Sequence, residues 1–155
     1  MNTQKIDKAS IRIATTDDAV HLARFYSYFE NKTITAKQVE TRLTATRHLE
    51  TPLLAIVDDK PVGFASLRLV PALSSEAPHA EITELYIEIE NQSDEHEPRI
   101  IKRALLEKAE GIAQDKGATS LTLHTGLKNK ASQGLYRSLG YLDYALAMQK
   151  SLVTT

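Results

Sequence analysis

The apolar positions of the chain change period several times, and each change marks an element. Ile11 and Ile13 alternate with polar neighbours as in a short strand, whereas Ala19, Leu22, Ala23 and Tyr26 recur at the spacing of one helical face. Between them, Thr15, Thr16, Asp17 and Asp18 have the composition of a helix cap with an acidic first turn. A second helix is expected from Thr35, with Gln38 at the capping-box position and Val39 and Leu43 as a thin apolar stripe. Residues 53–57 and 62–70 read as two apolar strands joined by Asp58, Asp59, Lys60 and Pro61, the pattern of a hairpin. Residues 71–78, rich in Pro, Ser and Ala, read as a loop, and residues 80–89 return to a strand pattern.

The polar, acidic segment 91–97 should be exposed. Pro98 suits the first turn of a helix, which Ile101, Ala104, Leu105, Ala109, Ile112 and Ala113 continue until Lys116 and Gly117 close it. Residues 120–125 alternate as a strand. Asn129 can cap a helix that carries Ser132, Leu135, Tyr136 and Leu139 on one face and ends at Gly140, and residues 144–152 read as a last strand. The hairpin implies antiparallel pairing and the later strand–helix–strand unit a parallel crossover. The expected fold class is therefore α/β (α+β): a central mixed sheet flanked by helices, in a single domain over residues 1–155 that opens with a polar leader, residues 1–10.

Composition narrows the function more than the fold. With 155 residues the chain can bury a core without disulfides or metals, and 42% hydrophobic against 25% charged residues is the balance of a folded globular protein. Nineteen basic and 20 acidic side chains leave a formal net charge of −1, so no cationic surplus recruits nucleic acid or an anionic membrane. Absence of cysteine excludes a disulfide scaffold, thiolate metal sites and an acyl-cysteine intermediate, so any acyl transfer would be direct. No apolar run approaches the roughly 20 residues that span a bilayer, and the polar start lacks an apolar signal region; a cytoplasmic location is the default expectation.

Several chemistries lack their residues. The glycines are not spaced as a dinucleotide fingerprint or a Walker loop, and no serine lies in a nucleophile elbow. His79, Ala80 and Glu81 look like the opening of a zinc deaminase signature, but the cysteines that complete it are missing. No histidine pair has metal-ligand spacing on a helix, so no metal site is expected.

The informative stretch is residues 129–141, a capped helix that projects Tyr136 and ends at a glycine before the chain runs on. Taken alone, a tyrosine on an apolar stripe is more often a core residue than an acid. Asn129, Ser132, Leu135, Tyr136, Gly140 and Tyr141, however, stand in the order of a motif of the GNAT acetyltransferase family, which this region resembles. The resemblance extends to residues 121–125, to Met148, Gln149 and Lys150, to Val62, Gly63, Phe64 and Ala65, and to Glu84, Leu85, Tyr86 and Ile87, which look like the family's central strand. Arg103, Ala104, Leu105 and Leu106 look like its coenzyme-facing helix.

The resemblance implies a cofactor and a site. Acetyl-coenzyme A, as co-substrate, would lie where two parallel strands splay, residues 84–87 running next to residues 121–125. Its pantetheine would pair with Leu85, Tyr86 and Ile87, and its pyrophosphate would meet Arg99, Ile100, Ile101, Lys102 and Arg103 at the helix start, with Asn129 also on the coenzyme side. By the same resemblance Glu84 would accept the proton of an attacking primary amine and Tyr136 would protonate the departing thiolate; Glu84 read by its residue type alone is equally a solvated or ion-paired strand residue. The acceptor, a small-molecule or peptide amine, would sit against the first two helices and the loop at 71–78. Oligomeric state stays open, a homodimer included.

One segment departs from the family pattern. Glu97, Pro98, Arg99, Ile100, Ile101 and Lys102 occupy the pyrophosphate loop, where the family carries small residues. β-Branched isoleucine restricts the backbone there, and phosphate would depend on the side chains of Arg99, Lys102 and Arg103. A catalytically silent binding or regulatory protein of the same fold, with weak or no coenzyme binding, is the second reading.

Overall fold

The computed structural model describes residues 9–88 and 98–153, which form two compact units, one ending at Leu123 and the other beginning at His124. The expected exposed segment 91–97 and the end of the expected strand at Ile89 lie outside the described residues.

The first unit is built on a five-stranded mixed sheet whose strands lie in chain order: β1 (Ser10–Ile13), β2 (Glu50–Val57), β3 (Lys60–Val70), β4 (His79–Ile87) and β5 (Leu121–Leu123). The pairs from β1 to β4 are antiparallel, and β4 with β5 is parallel. Three helices accompany it: α1 (Ala19–Phe29), α2 (Ala36–Thr46) and α3 (Pro98–Asp115).

The local causes are those the sequence advertises. Thr15 and Asp18 close a capping box on a 3-10 turn, Thr16–Asp18, that leads into α1. Asp18 is buried and accepts both amino groups of Arg12 at 2.7 Å and the Thr15 N–H at 2.8 Å. Thr35 and Gln38 cap α2 reciprocally, at 3.1 and 2.9 Å. The hairpin turns at Asp58 and Asp59, with φ of 48° and 62°, the two successive left-handed residues of the tight turn that matches strand twist. Gly117, with φ of 89°, ends α3: its N–H bonds Gln114 O while Ala118 N–H reaches Ala113 O.

Alternation sorts the strands into two faces. Leu54 and Phe64 pack with Leu22, Phe25 and Val39 of α1 and α2. Their neighbours Leu53 and Ala65 are paired on the other face, and there a side chain at Gly63 would touch Ile101 of α3. The buried stripe of α3, Ile101, Leu105, Leu106, Ala109 and Ala113, lies against β2, β3 and β4.

On β4 the alternation slips. Ser66 pairs with Glu84, but the next residue, Leu67, pairs with Ile82, which leaves Thr83 as an extra residue in a bulge. Ile82 therefore shares the face of Leu67, whereas Glu84 and Tyr86 share the face of Phe64 and Ser66. The parallel ladder with β5 joins Ala80, Glu81 and Ile82 to Leu121, Thr122 and Leu123, and stops at the same point. This corrects the expected pairing of residues 84–87 with 121–125: β5 is shorter than expected, and β4 runs on from Thr83 to Ile87 beyond the β5 ladder.

The second unit holds α4 (Lys130–Ser138), capped at its start by Asn129 Oδ1, which accepts the Ser132 N–H at 3.1 Å. Gly140, with φ of 94°, closes it as expected, its N–H bonding Arg137 O and the Tyr141 N–H bonding Tyr136 O. The expected strand at 144–152 is not formed. Those residues have no regular structure, and Tyr144, Leu146, Met148 and Leu152 are exposed. A strand is stabilised by its neighbour, and among the described residues of this unit there is no other strand to supply an edge.

Candidate active site

On the α1 and α2 side of the sheet the first unit opens into a cavity of about 920 Å³. Its floor is set by strand periodicity. Phe64, Ser66 and Arg68 point one way along β3, Glu50 stands beside Arg68, and the bulge at Thr83 turns Glu84 to the same side. Were Thr83 an ordinary residue of an unbroken strand, Glu84 would share the face of Ile82 and lie under α3.

Glu84 accepts a 2.5 Å hydrogen bond from the Tyr26 hydroxyl of α1. Burial raises its pKa above the ordinary carboxylate value; the Tyr26 hydrogen bond opposes this, Glu50 and Glu30 add to it, and Arg68 opposes it. Burial and the same carboxylate raise the pKa of Tyr26, so the phenol keeps its proton and can only donate. The Tyr26 ring is held edge-on by Phe64, centroids 5.5 Å apart, and by Tyr86 at 6.2 Å. Tyr86 in turn donates to Glu30 at 2.6 Å and stacks on Phe29 at 4.7 Å.

Glu50 is a second carboxylate of the floor, and it is saturated. It accepts Ser66 Oγ at 2.5 Å, Arg68 Nε at 2.6 Å and Thr83 Oγ1 at 3.2 Å, with Arg68 Nη2 also at 2.6 Å. This pair ties β2, β3 and the bulge together. Glu84 faces the same cavity, its pKa raised by burial.

Of the residues expected to meet a coenzyme, Leu85, Tyr86 and Ile87 lie on the part of β4 that has no β5 partner. The Tyr86 ring serves the α1 face. At the start of α3, Arg99 is exposed, and Ile100 and Lys102 are half-buried. Burial lowers the pKa of Lys102. Ile101 is 2% exposed and belongs to the core, so only its backbone could meet a ligand, and Arg103 donates to Glu107 at 2.8 Å on the helix surface. The side-chain oxygen of Asn129 is used as a helix cap.

Within the second unit Tyr136 is buried, its ring edge-on to Tyr141 at 6.2 Å. Burial raises its pKa, with the Ser132 hydroxyl opposing, so it is a protonated phenol at neutral pH. Among the described residues no cluster of His, Asp or Glu could hold a metal ion. No helix among them is long and apolar enough to cross a membrane.

Tyr26, Glu50, Ser66, Arg68 and Thr83 were not candidates from sequence. Tyr26 lies on a helical stripe and reads as core. The signal for the floor was the change of phase in β4, where apolar residues fall at 80 and 82 and then at 85 and 87. The loop at 71–78 does not line the cavity, although the first two helices do.

Comparison with known proteins bears on the chemistry. Residues 16–141 match the model of the Acetyltransferase (GNAT) family. No curated protein matches significantly by sequence. Among solved structures, an acetyltransferase from Trypanosoma brucei aligns with a TM-score of 0.79 at 15% identity, covering 93% of this chain and 99% of that one. A ribosomal-protein-alanine N-acetyltransferase from Brucella melitensis aligns with 0.70 at 19% identity, covering 95% and 98%. An aminoglycoside acetyltransferase from an uncultured soil metagenomic sample, solved with trehalose, aligns with 0.76 at 16% identity, covering 96% and 99%. At these identities the structures establish a shared fold.

Proposed function

This chain belongs to the GNAT acetyltransferase family, and from that premise we propose that it transfers an acetyl group from acetyl-coenzyme A directly to a primary amine, with Glu84 as the base and Tyr136 as the acid. The observation that carries the reading is the Tyr26–Glu84 pair, a half-buried carboxyl raised in pKa and turned by a bulge into a cavity large enough for an acceptor. A base of raised pKa is better matched to neutral pH than an ordinary carboxylate.

Bound as co-substrate, acetyl-coenzyme A supplies a thioester whose carbonyl carbon bonds the acceptor nitrogen as its C–S bond breaks. Residues 83–87, which extend past the β5 ladder, would take its pantetheine, and Arg99 and Lys102 offer its phosphates cations at the start of α3. Glu84 takes the proton that the amine loses on forming the new bond. Tyr136, kept protonated at neutral pH by its raised pKa, gives its phenolic proton to the departing thiolate. Glu84 recovers by releasing its proton to solvent, and Tyr136 by taking one up. No metal enters this scheme. A cytoplasmic setting and a homodimeric state complete the proposal.

The test is transfer itself. Incubated with acetyl-coenzyme A and a panel of primary amines, the protein should release free thiol in proportion to acetylated amine, and Glu84→Gln should cut kcat/KM about 100-fold or more, within the range removal of a general base produces. Failure of the native protein to bind acetyl-coenzyme A at millimolar concentration would remove the co-substrate and leave the silent binding protein as the function.

A further inference from the structure

The cavity above Glu84 carries side-chain charges of both signs, which bears on the acceptor. Glu50 and Arg68 neutralise each other by direct contact, at 2.6 Å. The remaining charged residues of the wall are Glu84 on β4, Glu30 and Lys32 just after α1, and Arg42 and Arg47. Arg42 and Arg47 stand on and just after α2, are exposed, and form no ion pair with another of the described residues. Their charges face a cavity that already contains the carboxyl an amine needs.

A volume of about 920 Å³ lies toward the upper end of the roughly 300–1,000 Å³ of small-ligand sites, so an isolated amine would fill little of it. Val39, Leu43 and Phe64 add apolar surface to the same wall. A polycation would set its outer ammonium groups against Arg42 and Arg47 and be repelled. An acceptor with an amine at one end, an apolar middle and a carboxylate at the other would meet complementary groups throughout, because guanidinium forks match carboxylates in geometry as well as charge.

We propose that the acceptor is a short peptide or amino-acid derivative with a free carboxylate, bound with its amine toward Glu84 and its carboxylate on Arg42 and Arg47. This rests on the acetyltransferase reading for the fate of the amine, but the binding polarity is separable from it. The class differs from that named for the aminoglycoside enzyme of similar fold.

The experiment compares alanyl-leucine with alanyl-leucinamide, which differ in the carboxylate alone, on the wild-type protein and on R42Q/R47Q. Binding is measured by calorimetry and transfer by acetyl-product formation, and circular dichroism checks the fold. The native protein should prefer the acid at least tenfold in both Kd and kcat/KM, chiefly through KM. In R42Q/R47Q that preference should fall below threefold. Equal use of acid and amide, a preference that survives in R42Q/R47Q, faster acetylation of an aminoglycoside, or no binding of either dipeptide would each overturn the proposal. If the acid binds preferentially and loses that preference in R42Q/R47Q, yet no acetyl group is transferred, the binding polarity stands and the acetyltransferase reading fails.

Discussion

Tyr26→Phe isolates one hydroxyl. The ring keeps its edge contacts with Phe64 and Tyr86, centroids 5.5 and 6.2 Å away, so the packing of α1 on the sheet is retained. What disappears is the 2.5 Å donor to Glu84, a hydrogen bond made to the charged form of the carboxyl. Such bonds to charged groups contribute about 1.5–3 kcal/mol. The pKa of Glu84 is already raised by burial and by Glu50 and Glu30, and the Tyr26 bond is the largest influence holding it down. Its loss should move the acid limb of the kcat/KM–pH profile to higher pH. At a pH on that limb, about 1.5–3 kcal/mol corresponds to a rate lowered roughly 10- to 100-fold, while the plateau above it should fall much less. The assay is the full pH profile of wild type and Tyr26→Phe with one amine acceptor, accompanied by thermal unfolding. A uniform loss of rate at every pH would mean that Tyr26 positions the acceptor and leaves the ionisation of Glu84 alone. An unmoved profile would remove Glu84 from the titration altogether.

Other perturbations read separate parts of the molecule. Glu84→Gln should abolish most activity and yet raise the melting temperature at pH 8: a carboxyl with raised folded pKa contributes stability below its unfolded value, and that contribution is lost as pH rises through the folded one. Asp18→Asn should destabilise at neutral pH by about 1–2 kcal/mol, because the Arg12 bond and the Thr15 N–H lower the Asp18 pKa to about 2 from 3.8. That stability is present above about 3.9 and is lost as pH falls toward 2, so acid denaturation of wild type should be steeper there than that of the variant. Tyr136→Phe should lower kcat with little change in acetyl-coenzyme A affinity or melting temperature; unchanged kcat would make the residue structural.

Most of the fold was legible because its causes are local. Thr35 with Gln38, the aspartates of the hairpin, and Gly117 and Gly140 each act within a few residues, and the structure uses them as the sequence predicts. Apolar periodicity found all four α-helices for the same reason. It failed where the outcome depends on a distant partner. The ends of β5 are set by how far β4 stays beside it, and the alternation at 144–152 specifies a strand only if an edge is at hand.

The site was legible in type and illegible in arrangement. Glu84 could be named from the resemblance of its strand to a family pattern, but its environment comes from Tyr26, 58 positions away in the chain, and from Glu50, 34 positions away. Such separations carry no periodicity that a sequence displays. The bulge is the exception, because it leaves a local trace: apolar residues at 80 and 82 belong to the α3 face, and so do those at 85 and 87, which is impossible for an unbroken strand. One extra residue must lie between them, and the side chain after it must turn over. Thr83, as the bulged residue, therefore keeps Glu84 in the phase that faces the cavity and marks the point where β4 parts from the β5 ladder. Deleting Thr83 should close the bulge into regular alternation, so that Glu84 follows Ile82 directly and keeps the cavity face while the Thr83 Oγ1 bond to Glu50 is lost. A folded deletion variant should therefore retain most of its activity, whereas inserting one residue after Thr83, which turns Glu84 to the α3 face, should abolish it; an active insertion variant would show that strand phase does not orient the base.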